Sequence, residues 1–144
     1  MKISGVKLKE LRIKFKMTQG DIAKYLGVSE VAFARYDQGK CNPSIANFIK
    51  LAELLKTSVQ YLVIGTDTEK EYDLGNVTPF SERVKALRKE RHLTQKQVAA
   101  ELDIRETAYQ TYEYGTHEPK LEKLIKLADL FHVTLDELLG RNET

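Results

Sequence analysis

The sequence predicts an all-α protein made of two tandem five-helix domains joined by a charged linker. Three observations predict it. First, sliding the chain by 76 residues lays Lys7–Ile64 over Arg83–Gly140 without a gap, with 18 of 58 positions identical. A period this long exceeds that of solenoid repeats and marks two copies of one small domain. Second, apolar residues recur at helical spacing within each copy, and no segment carries a β-strand pattern. Third, Thr66–Pro79 loses that periodicity, holds five charges, Gly75 and Pro79, and reads as a linker. The expected division is 1–66, a linker at 67–79, and 80–144.

In the first copy, Val6, Leu8, Leu11 and Phe15 make an amphipathic helix over about 6–16. Thr18 supplies an N-cap and Asp21, three residues on, completes a capping box; Ile22, Ala23 and Leu26 form the inward stripe of the second helix. Gly27 closes it, as the residue free to turn left-handed. Ser29 caps a third helix over about 30–37, with Ala32, Phe33 and Tyr36 inward, and Gly39 ends it. After the loop Lys40–Pro43, Ser44 caps a fourth helix through Lys56, with Ile45, Phe48, Ile49, Leu51, Ala52 and Leu55 inward. A short fifth follows at about 59–64. The second copy repeats the plan at about 82–92, 95–102, 106–113, 121–131 and 135–139, with Thr94–Gln97 and Thr134–Glu137 as capping boxes.

Domains of this size bury only about 60% of their unfolded surface, so their helices must pack well. The net charge of +2 hides an asymmetry. Residues 1–66 carry 11 Lys+Arg and 5 Asp+Glu (+6), residues 67–79 give 1 − 4 = −3, and residues 80–144 give 11 − 12 = −1. A basic small domain carries the electrostatic footprint of a polyanion partner, and the first copy alone has it. The lone Cys41 has no cysteine to pair with, and Cys41, His92, His117 and His132 show no metal-ligand spacing. Apolar runs such as Tyr61–Ile64 are far too short to cross a bilayer, and no signal segment opens the sequence. The reading is of a protein in a reducing cytoplasm. No nucleophile–base set, paired acids or phosphate loop is present, which argues against an enzyme, and no cofactor is implied.

Thr18-Gln19-x-x-Ile22-Ala23-x-x-Leu26-Gly27-Val28-Ser29, then Phe33-x-x-Tyr36-Asp37-x-Gly39, Pro43 and Leu51-Ala52, resembles the helix-turn-helix domain of the lambda and 434 repressor and Cro type, the Xre-like family. The resemblance covers both copies. It implies two lambda-repressor-like DNA-binding domains, each laying its third helix in the major groove, which is wide enough for one helix. By position the base-reading residues are then Ser29, Glu30, Val31 and Arg35 in the first copy, and Arg105, Glu106, Thr107 and Thr111 in the second. Arg35 is the leading candidate, since a guanidinium bonds guanine in bidentate fashion for about 1–3 kcal/mol. Gln19 and Gln95, at the N-terminus of the second helix, take the family's phosphate contact. Lys40, Asn42 and Ser44 lie in the loop facing the other strand, where contacts position without reading sequence. The resemblance also implies that Arg12 and Arg88 pair with the acids closing the third helix, Asp37 and Glu113. Tyr36 and Tyr112 are read as core.

The copies differ. Arg105 stands where Ser29 caps and Lys120 where Ser44 caps, each exchange losing a cap worth about 1 kcal/mol. Glu118 replaces Asn42. Yet Arg83, Lys85, Arg88, Lys89 and Arg91 make the second copy's first helix basic. Two readings stay open: a reader of a second half-site, or a domain for dimerisation or partner docking. Half-sites on one DNA face lie about 34 Å apart, and 14 residues of linker span at most about 46 Å. Leu135, Leu138 and Leu139, or Val59 and Leu62, are candidates for a self-association surface. The expected function is sequence-specific transcriptional regulation by a bacterial or phage protein, as a repressor occupying a promoter. The partners are double-stranded DNA, with a homodimer and a protein antagonist left open, and no membrane. The alternative is a protein-interaction module of antitoxin-like or adaptor type that keeps the fold.

Overall fold

The computed structural model describes residues 5–66 and 71–143, with side chains from residue 7 onward. Val6, assigned above to the first apolar stripe, and part of the linker at 67–70 lie outside the described side chains and residues. The chain divides into two units, Met1–Glu69 and Lys70–Thr144.

The first unit contains α1 (Gly5–Lys14), α2 (Gln19–Leu26), α3 (Glu30–Asp37), α4 (Ile45–Leu54) and α5 (Val59–Val63). Short helices are marginal in isolation, so their ends matter. The Thr18 hydroxyl accepts from the Asp21 backbone N–H while the Asp21 carboxylate accepts from that of Thr18, both at 3.0 Å. Hydrogen bonding of that carboxylate to the Thr18 backbone N–H and side chain holds it below its ordinary range. Ser29, Ser44 and Ser58 cap α3, α4 and α5 by the hydroxyl alone, each accepting from the backbone N–H three residues on. Gly27 closes α2 at φ 73°, where a side chain would be strained. The apolar faces meet in a core of Leu8, Ile22, Phe33, Phe48, Leu51 and Leu62, each no more than 1% exposed.

The second unit repeats the five helices as α6 (Phe80–Glu90), α7 (Gln95–Glu101), α8 (Glu106–Tyr114), α9 (Leu121–Phe131) and α10 (Leu135–Leu138). Its core is Val84, Val98, Leu102, Tyr109, Leu127 and Phe131, all fully buried. The capping boxes at Thr94 and Thr134 form, whereas Arg105 and Lys120 stand at N-caps without a side-chain bond.

One expectation is corrected here. Tyr72–Val77, read as linker in a chain without strands, is β1, and it pairs antiparallel with β2 (Arg141–Glu143). The register joins Tyr72 to Glu143 and Val77 to Arg141, with an irregularity between them, where Gly75 sits at φ 74°. Asn142 Nδ2 donates to the Asn76 carbonyl at 3.0 Å and Thr78 N to that of Gly140 at 2.8 Å. Gly140 is required at this crossing, because a Cβ would collide with the Thr78 carbonyl oxygen and φ is 92°. Under the ribbon, Arg141 Nη1 donates to Asp136 Oδ1 at 2.7 Å. The Arg141 guanidinium also lies 4.8 Å from the centre of the Tyr72 ring. Both ions of that pair are at most 4% exposed. These six β1 residues belong to the sheet of the second unit and do not serve as free tether.

A second expectation fails on burial. Val59, Leu62, Leu135, Leu138 and Leu139, named as a self-association surface, are at most 1% exposed inside their own units. Such short terminal helices spend their apolar residues closing the core.

Candidate nucleic-acid interface

Each unit braces its third helix with a buried ionic knot. Arg12 reaches from α1 to the end of α3, donating Nε to Asp37 Oδ1 at 3.3 Å and Nη2 to Oδ2 at 3.1 Å; its Nη1 holds the Met17 carbonyl just before α2. Arg88 does the same, donating Nε to Glu113 Oε2 at 2.7 Å, Nη2 to Oε1 at 3.1 Å and Nη1 to the Leu93 carbonyl at 2.9 Å. A planar fork matched to a carboxylate fixes direction as well as distance. The pairing implied by the resemblance is thus present in both units. Burial pushes the Glu113 carboxyl up, but the hydrogen bonds from Arg88 and Gln95 help outweigh it and leave it below the ordinary range.

Gln19 and Gln95 join the same knots. Gln19 Nε2 donates to Asp37 Oδ2 at 3.0 Å, and Gln95 Nε2 to Glu113 Oε1 at 3.2 Å. Both are half-buried, so these amides are shared between bracing and any outward contact.

At the start of α3, Ser29, Glu30 and Val31 are exposed, Val31 by 74%, and Arg35 is exposed one turn later. The Ser29 oxygen accepts from Ala32 N at 3.0 Å, leaving its own O–H to donate outward. Ser44 does likewise with Asn47 N at 3.2 Å. Lys40 and Ser44 are exposed, and Asn42 is half-buried between them. The first unit therefore carries, on α3 and the segment that follows it, two exposed side-chain cations, Arg35 and Lys40, and two serine-capped helix starts.

The second unit presents a different surface. Arg105, Glu106 and Thr107 are exposed, but Thr111 is half-buried and donates its hydroxyl proton to the Ala108 carbonyl at 2.6 Å. It can then only accept. Beside it opens a groove of about 480 Å³ between Thr111, Tyr112 and the start of α9 at Lys120 and Lys123. Glu118 and Glu122 stand on its lining and offset those cations, where the first unit has Asn42 and Ala46. Of the basic residues on α6 and at its C-cap, Arg88 is in the knot and Arg91 Nε donates to the Phe131 carbonyl at 2.8 Å, so both guanidiniums serve packing. Tyr36 and Tyr112 are half-buried, each stacked edge-on against the buried ring of its unit, Phe33 or Tyr109.

One residue escaped the sequence reading. Gln110 Nε2 donates to Gln95 Oε1 at 3.1 Å. The signal was the exchange of Ala34 for Gln110, one of five differences between the aligned third helices, which places an amide beside the N-terminus of α7.

Among the described residues no helix is long and apolar enough to cross a membrane. What remains is a pair of small helical units, each presenting the start of its third helix to solvent and bracing that helix from behind. The chain belongs to the helix-turn-helix family, whose pattern matches it twice, over residues 8–62 and 84–138. Among its relatives is the cryptic phage CTXphi transcriptional repressor RstR of Vibrio cholerae, 42% identical over 65 residues, or 45% of this chain and 59% of that protein. The HTH-type transcriptional regulator AnsR of Bacillus subtilis is 44% identical, over 43% of this chain and 53% of its own. The HTH-type transcriptional activator BcrR of Enterococcus faecalis is 39% identical, over 44% of this chain and 31% of its own. The chain thus spans about half the length of the curated relatives it matches. A crystal structure of a transcriptional regulator from Listeria innocua shares 34% identity at a TM-score of 0.40, covering 47% of this chain and 58% of that one.

Proposed function

We propose that this protein is a sequence-specific DNA-binding transcription regulator, working in the cytoplasm as a repressor by occupying a promoter, with the first unit as its principal reader. The observation that carries this reading is the exposed face of α3, with Arg35, the Ser29-capped N-terminus and Lys40 on a segment of charge 11 − 5 = +6. Arg35 donates to guanine in the major groove. Gln19, Asn42 and Ser44 hold the phosphates on either side, which sets register without reading sequence. The names of its relatives support regulation in general, and they include both a repressor and an activator. We assign repression because blocking a promoter needs only occupancy of DNA.

The test is an unbiased selection of random duplex DNA by the whole chain and by its Arg35→Ala variant, across a salt series. A recovered motif with a G·C position lost in the variant supports the reading. Only salt-sensitive, motif-free binding would replace it with a protein-interaction role.

A further inference from the structure

We propose that Gln110 is a base-reading residue of the second unit, held ready for an adenine by a hydrogen-bond chain that runs through Gln95. The inference rests on the DNA-binding reading above and deepens it. The chain has a fixed polarity. Arg88 donates to the Glu113 carboxylate, which only accepts, so Gln95 must turn its Nε2 toward that carboxylate, at 3.2 Å. This leaves Gln95 Oε1 to accept, and Gln110 Nε2 fills it at 3.1 Å. A carboxamide has two N–H groups and an oxygen. With one N–H engaged on Gln95, Gln110 keeps one donor and one acceptor, the groups that complement N7 and N6 of adenine.

Placement agrees with this role. Gln110 lies four residues after Glu106 and three after Thr107, on the face where both are exposed, and is itself half-buried. A side chain ordered before binding loses less entropy on contact. Thr111, the neighbour expected to read, has given its proton to Ala108. The first unit has no counterpart, since Ala34 stands at the matching position. The two units therefore read different letters, Arg35 a G·C pair and Gln110 an A·T pair.

The experiment is selection from random duplexes by the full chain carrying Gln110→Ala or Gln110→Met, with thermal unfolding of each. Met keeps the stem without the amide, so it reports on the hydrogen bonds alone. In the wild type an adenine position in the second half-site should be preferred by on the order of 5- to 100-fold. It should fall to near parity in both variants, with the first half-site unchanged and unfolding still cooperative, its midpoint lowered only by the lost bond to Gln95. Gln95→Ala removes the brace together with its bond to Glu113, so it should lower the adenine preference part-way and overall affinity with it. A preference that survives both Gln110 variants overturns the proposal, as does a wild-type motif with no second half-site. Loss of the first half-site from the wild-type motif as well would instead overturn the DNA-binding reading itself.

Discussion

In the first unit α3 starts under a serine hydroxyl, α4 starts under another, and the surrounding segment carries +6. In the second, Arg105 and Lys120 leave both helix starts uncapped, and the segment 80–144 carries −1. In their place that unit has a longer ionic knot and a β-ribbon clasped over a buried Asp136–Arg141 pair. Local devices at helix ends have been exchanged for contacts between distant parts of the chain. Duplicated sequences thus keep one fold while drawing its stability from different sources, and that frees the residues at the start of α8 to change.

Breaking the knots gives the largest contrast. Glu113→Ala strands the Arg88 guanidinium, which is 11% exposed, and should cost about 3–5 kcal/mol. Asp37→Ala acts on a pair with longer bonds and a 14% exposed partner, and should cost less, about 2–3 kcal/mol. Chemical denaturation of both variants measures this, and equal losses would mean that the extra members of the second knot add nothing. Next comes binding. Arg35→Ala should weaken specific DNA affinity by about 1–3 kcal/mol, and Thr111→Ala far less, in titrations of the selected duplex at fixed salt. Similar losses would remove the ranking of the units.

Helix caps give a smaller effect of opposite sign in the two units. Ser29→Ala should destabilise by about 1 kcal/mol, and Arg105→Ser should stabilise by a similar amount, both visible as shifts in thermal unfolding. The smallest effect is the response to acid. The Glu113 carboxyl titrates below its ordinary 4.5 in the folded protein. Its contribution is therefore complete above that value and is lost as pH falls through the folded one. Unfolding of wild type against Glu113→Gln should show the wild-type advantage shrinking below pH 4.5, whereas a constant gap would place the origin of the advantage elsewhere.

Most of the helical plan was legible, because its signals are local. Thr18 with Asp21, Gly27, Ser29 and Ser44 act within four residues of where they stand. The arginine–acid knots were legible only through resemblance, since Arg12 and Asp37 are 25 residues apart. The ribbon was not legible. Tyr72-Asp73-Leu74-Gly75-Asn76-Val77 lacks the alternation of a half-buried strand, and β2 supplies its partner from beyond every helix of the unit. The burial of Leu135 and Leu138 was hidden for a related reason: an apolar residue on a short helix fits a core and an interface equally well until packing decides. Gln110 left only a trace, as a difference between two copies.

The ribbon also sets an order in time. β1 precedes all five helices of the second unit and β2 follows them, so the clasp closes a loop of roughly 64 residues at a chain-entropy cost of about 4 kcal/mol. During synthesis the first unit has every residue of its core in hand while the second is still waiting for Arg141 and Asn142. A nascent chain therefore carries its more basic, self-contained half in mature form before the other half can fasten.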